Sequence, residues 1–257
     1  MKIHPSAIIH SKAELDSTVE VGPYSVIGEH VRVGRGVKIR SHVVIDGWTE
    51  IGEDCIFFPF SSIGMGPQDL KYKGGKTRLM IGNNNTFREY VTLNLGTEQG
   101  TGKTVIGESN YFMAYVHVAH DCVIGDKVVM ANAATLAGHI TIGDHAILGG
   151  LVGVHQFVKI GSYALVGGCS AVAQDVPPFV SVAGNRTKLY GLNMVGLKRH
   201  HFSKERIDAL KGAYRLLFRS QLTQREAIKQ ARNKWGDIAD VEEFVSFVEN
   251  AKRGICR

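Results

Sequence analysis

Every sixth residue from Ile3 to Ile63 is apolar: Ile3, Ile9, Leu15, Val21, Ile27, Val33, Ile39, Ile45, Ile51, Phe57 and Ile63. Glycine follows at 22, 28, 34, 52 and 64. A six-residue period suits neither an α-helix nor an alternating strand. It suits a chain that turns a corner every six residues and buries one side chain per face. Small residues fit the corners, and glycine there also permits positive φ. Three such faces make one coil, so residues eighteen apart in sequence stack directly on one another.

The period resumes at Ile81, Phe87 and Leu93, slips by one residue, and runs from Ile106 to Val172. It matches the hexapeptide repeat of left-handed parallel β-helices. The handedness comes from that likeness, because parallel crossovers are ordinarily right-handed. With strands about 4.8 Å apart, roughly ten coils would build a prism about 45 Å long.

Two segments interrupt the pattern. Residues 67–76 carry acid, base and aromatic groups together, and residues 95–104 carry Gly96, Gly100 and Gly102. Both are expected to leave a corner as loops, the first of them functional. Asp175-Val176-Pro177-Pro178 is expected to end the repeat, since proline cannot donate to a ladder. Beyond residue 188 the spacing turns helical. Ser203 is a candidate cap, and Thr223–Glu226 and Asp240–Glu243 have capping-box spacing. The expected fold is therefore mainly β: a β-helix domain over 1–187 and a C-terminal α-helical domain over 188–257.

The 257 residues are 44% apolar with no long apolar run, which predicts no transmembrane segment. The amino terminus lacks a signal-peptide core, and the expected location is cytoplasmic. Four cysteines without CxxC spacing argue against a disulfide framework or zinc finger. The net charge of +6 is concentrated in residues 188–257, which hold fifteen Lys/Arg against eight Asp/Glu. That surplus suits an acidic or phosphate-bearing partner. No nucleic-acid-binding motif appears.

Stacking also sorts the histidines. His120 falls beneath Gly138, and Gly138 beneath Gln156; His139 and His155 lie one residue from that column, and His117 lies on the coil of His120. An imidazole is the usual general base near neutral pH. Asp121 is the nearest carboxylate to orient it. Gly138 has no side chain to screen its N–H, which suits a developing oxyanion. Acyl transfer is one reading of this patch. Zinc held by converging histidines, as in γ-class carbonic anhydrases, is another, ranked lower because Gly138 and Gln156 are not ligands.

Longer motifs narrow the choice. His117-Val118-Ala119-His120-Asp121-Cys122, Ala131–His139, Val154-His155-Gln156-Phe157, Val166–Ser170, Ala173–Pro178, Gln68–Tyr72 and Gly196-Leu197-Lys198-Arg199 resemble the bacterial acyl-[acyl-carrier-protein]–UDP-N-acetylglucosamine O-acyltransferases of lipid A synthesis. The resemblance spans the chain. It implies a cytoplasmic homotrimer with active sites between prisms, no cofactor, a 3-hydroxyacyl carrier protein as donor and UDP-N-acetylglucosamine as acceptor. It implies His120 as base, Asp121 as its support and the Gly138 N–H as oxyanion donor. Asp69, Lys71, His117, His139, His155 and Gln156 would hold substrate groups, and Asn193 and Arg199 the nucleotide side. Gly168 would set acyl-chain length. Some relatives have a His in the motif that here reads Thr92-Leu93-Asn94-Leu95-Gly96-Thr97, many have Glu at the place of Val195, and some have an Arg pair where Arg199-His200 stands here. Those departures leave a 3-amino sugar open as acceptor. The other readings are a metal-dependent hydratase and a non-catalytic scaffold.

Overall fold

In a computed structural model describing residues 1–257, short parallel strands stack into three flat sheets. The first sheet has eleven strands, from Lys2–Ile3 to Lys188–Leu192; the second has nine, from Ile8–Ile9 to Ala171–Val172; the third has eight, from Glu14–Leu15 to Lys159–Ile160. They wind as a left-handed parallel β-helix. Residues eighteen apart pair wherever the repeat is unbroken, as in His117 with Thr135 and Val118 with Leu136. The ladder also steps across both insertions: Phe57 pairs with Phe87, and Phe87 with Phe112. These three rings fill the axis, at centroid separations of 4.9 and 5.3 Å.

Each face buries two side chains per coil, where the period alone predicts one. The residue two places before each apolar position also points inward, and Val19, Val31, Val43, Cys55, Val91, Val116, Cys122, Val128 and Ile140 are fully buried. Polar members of that second row satisfy the corners. Asn85 donates to the carbonyls of Gly82 and Gly107, and its own Oδ1 accepts from the Asn110 amide. An unpaired buried amide would cost more than its burial gains, so the paired amide of Asn85 holds its corner together.

The glycines owe their places to close approach. A Cβ on Gly34 would sit 2.9 Å from the Gly52 backbone one coil on. The left-handed residue of a typical corner lies two places later and is seldom glycine: Tyr24, Phe60, Tyr90, Tyr115 and Asp121 all have φ between +55° and +66°. Backbone hydrogen bonds across the corner, such as His139 N–H to the His120 carbonyl at 3.0 Å, hold that conformation.

Two expected boundaries move. The ladder passes Pro177-Pro178: Val180–Ala183 pairs in parallel with the strand at Leu165–Val166 and then in an antiparallel hairpin with Lys188–Leu192. Sheet therefore extends beyond residue 187, and helix begins only at Met194. Proline is tolerated because the corner, and not a strand interior, receives it.

Four helices follow: α1 (Met194–Arg199), α2 (Lys204–Arg219), α3 (Gln224–Trp235) and α4 (Ala239–Glu249). Ser203 caps α2, and Thr223 with Glu226 forms a capping box on α3. The box expected at Asp240 is absent. Asp240 lies inside the first turn of α4, and its carboxylate takes a bidentate pair from Arg206 of α2, whose Nη2 donates at 2.7 Å. Phe179, Phe202 and Phe244 pack edge to face and fasten the helices to the prism.

Candidate active site

The second sheet presents an outward face between two corners. Its strands at His117–Val118, Thr135–Leu136, Gly153–Val154 and Ala171–Val172 form the floor of a groove of about 730 Å³. His117, His120, Gly138 and His155 line this groove, with Gln68 reaching in from the first loop and Asn185 and Arg186 bounding it. Thr135, Gly153 and Ala171 keep the floor shallow, and a Cβ at Gly153 would meet nothing within 4 Å.

His120 and Gly138 lie on one corner, one coil apart. A Cβ on Gly138 would stand 2.5 Å from Cε1 and 2.7 Å from Nε2 of His120. The carbonyl of Gly138 accepts from the Phe157 N–H, whereas its own N–H has no acceptor within the chain. The imidazole is part-buried, and its Nδ1 lies 2.8 Å from Oδ2 of Asp121. The neighbouring His139 ring meets it edge to face at 5.0 Å and stacks on Phe157 at 4.6 Å. That sandwich limits how far either imidazole can tilt.

Asp121 is 3% exposed. Its Oδ2 accepts from the amide and hydroxyl of Thr97 at 3.1 and 2.6 Å, and its Oδ1 from the amide of Thr101 at 2.7 Å. The Thr101 hydroxyl lies 2.9 Å from Oδ1 and 2.8 Å from the Lys103 carbonyl, and its one proton is shared between them. Burial pushes the Asp121 carboxyl up, but hydrogen bonds from Thr97, His120 and Thr101 outweigh it and hold it below the ordinary carboxylate value. The group is therefore ionised at neutral pH. A carboxylate can only accept, so its contact with His120 calls for a proton on Nδ1. Nε2 is then the imidazole's free base.

His117 sits one face-width away. Its Nδ1 is 2.7 Å from the Thr92 hydroxyl, and burial pulls its pKa below the ordinary histidine value. It is a neutral hydrogen-bonding group at pH 7. His155 is exposed at the groove wall with Nδ1 3.2 Å from the Gln156 carbonyl. Gln156 continues the His120–Gly138 column but faces solvent beside the groove.

Six expected substrate residues lie outside the lining of this groove: His139 and Gln156 flank it, and Asp69, Lys71, Asn193 and Arg199 stand farther off. Asp69 and Lys71 share a turn of the first loop, where Oδ1 of Asp69 accepts from the Lys71 amide at 2.9 Å; Gln68 is the residue of that loop that enters. Asn193 caps α1: its Oδ1 accepts from Gly196 N–H, and its amide donates to the Tyr163 carbonyl. Being 5% exposed, it is committed to the helix start. Arg199 ends α1 and is exposed. Gly168 occupies the opposite edge of the same sheet, where a Cβ would meet only Gly150, with its oxygen at 3.2 Å.

Sequence reading missed Thr97, Thr101, Asn185 and Arg186. All lie in segments without repeat register. The glycines at 96, 100 and 102 were the available signal, since glycine marks close approach, and Gly100 does lie against the Asp121 carboxylate. The first loop also depends on the second, because Oε1 of Glu98 accepts from Gly75 N–H at 2.6 Å.

His120, Asp121 and His139 can bring one ligand atom each within 4.8 Å of one another. The donor set does not suit a cation. The Thr97 amide and hydroxyl and the Thr101 amide already point hydrogens at the two carboxylate oxygens, and a metal would have to displace them.

A base, an oriented carboxylate and an unscreened amide on a hexapeptide prism define an acyltransferase of the hexapeptide class. Comparison with known proteins agrees. Residues 103–138 match the bacterial transferase hexapeptide model, and residues 175–256 match domain 2 of UDP-N-acetylglucosamine O-acyltransferase. The chain is 57% identical over 256 residues to the acyl-[acyl-carrier-protein]–UDP-N-acetylglucosamine O-acyltransferase of Thermodesulfovibrio yellowstonii, covering 100% of this chain and 99% of that one. It is 51% identical to the enzyme of the same name from Syntrophobacter fumaroxidans, with full coverage of both. LpxA from Acinetobacter baumannii superposes with a TM-score of 0.96 at 44% identity, covering 99% of each chain. This chain belongs to the acyl-[acyl-carrier-protein]–UDP-N-acetylglucosamine O-acyltransferase family.

Proposed function

We propose that this protein moves a 3-hydroxyacyl group from an acyl-carrier-protein thioester to the 3-hydroxyl of UDP-N-acetylglucosamine, the first step of lipid A synthesis. The observation that carries the mechanism is His120 beneath the free Gly138 N–H, with Asp121 2.8 Å behind the ring. Nε2 of His120 removes the proton from the sugar hydroxyl as its oxygen attacks the thioester carbonyl. The carbonyl oxygen becomes an oxyanion and accepts from Gly138 N–H. Asp121 steadies the imidazolium. The intermediate collapses, the C–S bond breaks, and the proton on Nε2 passes to the departing thiolate. The thioester supplies the driving force, so no cofactor enters.

Substrate binding follows the groove. His117, His155 and Gln68 present polar groups around the reacting centre, and the shallow floor at Thr135, Gly153 and Ala171 accepts an apolar tail. A groove open on one side suits a homotrimer in which a neighbouring prism supplies the second wall. Tyr24, Phe60, Tyr90, Tyr115 and Leu151 support that assembly: they form one exposed ridge at the other edge of this sheet, each at least 43% exposed. So long an apolar ridge is unusual on a free surface. Asp69, Lys71, His139, Gln156, Asn193 and Arg199 then act at, or beside, the inter-subunit cleft. The basic helical segment suits an acidic carrier protein. No helix is long and apolar enough to cross a membrane.

The test is product analysis by mass spectrometry with UDP-N-acetylglucosamine and a panel of 3-hydroxyacyl carrier proteins. The expected result is a single O-acyl product with wild type and none above background with His120→Ala, the oligomer being unchanged. Near-normal turnover by His120→Ala would remove His120 as base.

A further inference from the structure

The geometry points to Thr97 and Thr101 as positioning residues for the catalytic imidazole: the second loop is a cradle that fixes Asp121, and through it the proton and tilt of His120. This rests on the reading of His120 as base.

The loop between the strands Thr92–Asn94 and Lys103–Ile106 does not enter the substrate groove. It folds over the Asp121 carboxylate instead. Three unshared donors, the Thr97 amide and hydroxyl and the Thr101 amide, reach the two oxygens; the Thr101 hydroxyl divides its proton between Oδ1 and the Lys103 carbonyl, and the remaining contact is Nδ1 of His120. Thr104 completes the enclosure from below, its hydroxyl accepting from the Asp121 N–H at 2.9 Å. The loop's own shape is tied to the same groups: Thr97 Oγ1 accepts from Gly100 N–H at 3.1 Å, and the Thr97 carbonyl accepts from Gly102 N–H at 3.1 Å. A Cβ on Gly100 would stand 2.4 Å from the carboxylate carbon. The cradle thus closes against the acid with no room for a methyl group.

This arrangement answers a problem the site poses. A carboxylate buried to this degree is costly unless its lone pairs are satisfied. No lysine or arginine pairs with it; its other nearby ionisable partner is His139, with Nε2 at 4.0 Å. Neutral hydroxyls and amides stabilise the anion without competing as charges for the imidazolium formed in the reaction. They also leave only the direction of His120 open on Oδ2. The hydroxyls therefore act through Asp121 and never touch substrate.

The experiment uses the full-length protein with Thr97→Val, Thr101→Val and the double variant, each beside its Thr→Ser counterpart. Misplacing a catalytic group is costly, so losing the Thr97 hydroxyl should lower kcat about tenfold, and losing the shared Thr101 hydroxyl should lower it less. KM for the sugar nucleotide should hold within about twofold, because uniform binding is untouched. The serine variants should restore kcat. Nitrogen-15 histidine spectra should show His120 protonated on Nδ1 in wild type and in the serine variants, and a tautomer mixture in the valine variants. Thr97→Val alone carries the test should the double variant not accumulate, because Asp121 is the one acceptor of its hydroxyl. Unchanged kcat and tautomer in the valine variants, with His120→Ala inactive, would overturn the positioning role while leaving the base intact. Loss of kcat that serine does not rescue, with the tautomer unchanged, would overturn it too. Activity in His120→Ala would instead remove the base, and the inference with it.

Discussion

Gly138 lies directly above His120, so near that a methyl group at 138 would stand 2.7 Å from Nε2 of the imidazole. That contact makes the glycine a reporter of the site. Its φ is not in the left-handed region, so alanine imposes no backbone strain there. Gly138→Ala should therefore stay folded and melt only a few degrees lower, the cost being the displaced His120 ring that its Cβ would meet at 2.5 Å. The added carbon must push the imidazole aside and partly cover the N–H, and misplacing a base or removing an oxyanion donor costs on the order of 10²-fold in kcat. Steady-state kinetics beside a thermal melt checks both halves. An alanine variant with full kcat would exclude the assigned geometry.

Acid should destabilise the fold in two separate windows. Asp121 has its pKa lowered by folding, net of burial. The unfolded chain then binds the extra proton first, so the stabilisation is complete above the unfolded value of about 4 and is lost as pH falls through the folded value. His117 is also depressed, through burial. The unfolded imidazole takes up its proton near pH 6.5, ahead of the folded one, so stability declines as pH drops below about 6.5. Melting temperatures across pH 7 to 3 should fall in both windows. His117→Gln should reduce the upper one only in part, because burial depresses His145 too. Asp121→Asn should reduce the lower one in part, since Glu89 and Glu242 are also depressed by their arginine partners, and should be less stable at pH 7, because its NH₂ cannot accept from the Thr97 and Thr101 donors.

How much of this was legible before any coordinates turned on register. Where the six-residue period holds, sequence separation is a ruler, and the His120–Gly138 stacking followed from it. The same ruler put His155 one residue from that column and His117 on the coil of His120, round a corner or on the neighbouring face; both line the groove. It failed where the chain leaves the coil. Thr97, Thr101, Asn185 and Arg186 have no column to be assigned to, and their positions come from loop closure. The second inward row was also hidden, since valine, cysteine, serine and asparagine share it and no single hydrophobic class marks it. Asp240 looked like a cap because the spacing was right; the nearby Arg206 decides its use instead. Asn193, expected on the nucleotide side, also caps α1, a use that no spacing in the sequence marked.

The exposed ridge gives a separate prediction about assembly. Tyr90 and Tyr115 stack in parallel at 4.8 Å with 43% and 60% of their surfaces open. In a trimer they are covered. Glutamates at both positions would bring unpaired charge into that contact, and a buried unpaired charge is strongly destabilising. Tyr90→Glu/Tyr115→Glu should shift the mass in light scattering from three chains toward the 28.1 kDa monomer. Activity should fall with it, since the groove loses its second wall. A monomeric wild type would contradict the assembly directly.

Acyl-chain length should be set at the far end of the trough. Arg186 bounds the same groove that His120 lines, beyond the small residues Gly153 and Ala171. It is exposed and makes no ion pair in the chain, so shortening it opens space with little effect on the fold. Arg186→Ala should move selection toward longer 3-hydroxyacyl donors. Gly168 allows the opposite change: its backbone is not left-handed, and the nearest obstacle to a Cβ is the Gly150 oxygen at 3.2 Å. A methionine there would project outward along the prism edge and should favour shorter chains if the tail runs past that edge. Each methylene excluded from apolar contact is worth about 0.8 kcal/mol, or roughly fourfold in kcat/KM. Competition between donors differing by two carbons, read by product mass spectrometry, resolves shifts of that size. Identical product ratios in wild type and both variants would place the tail elsewhere than along this face.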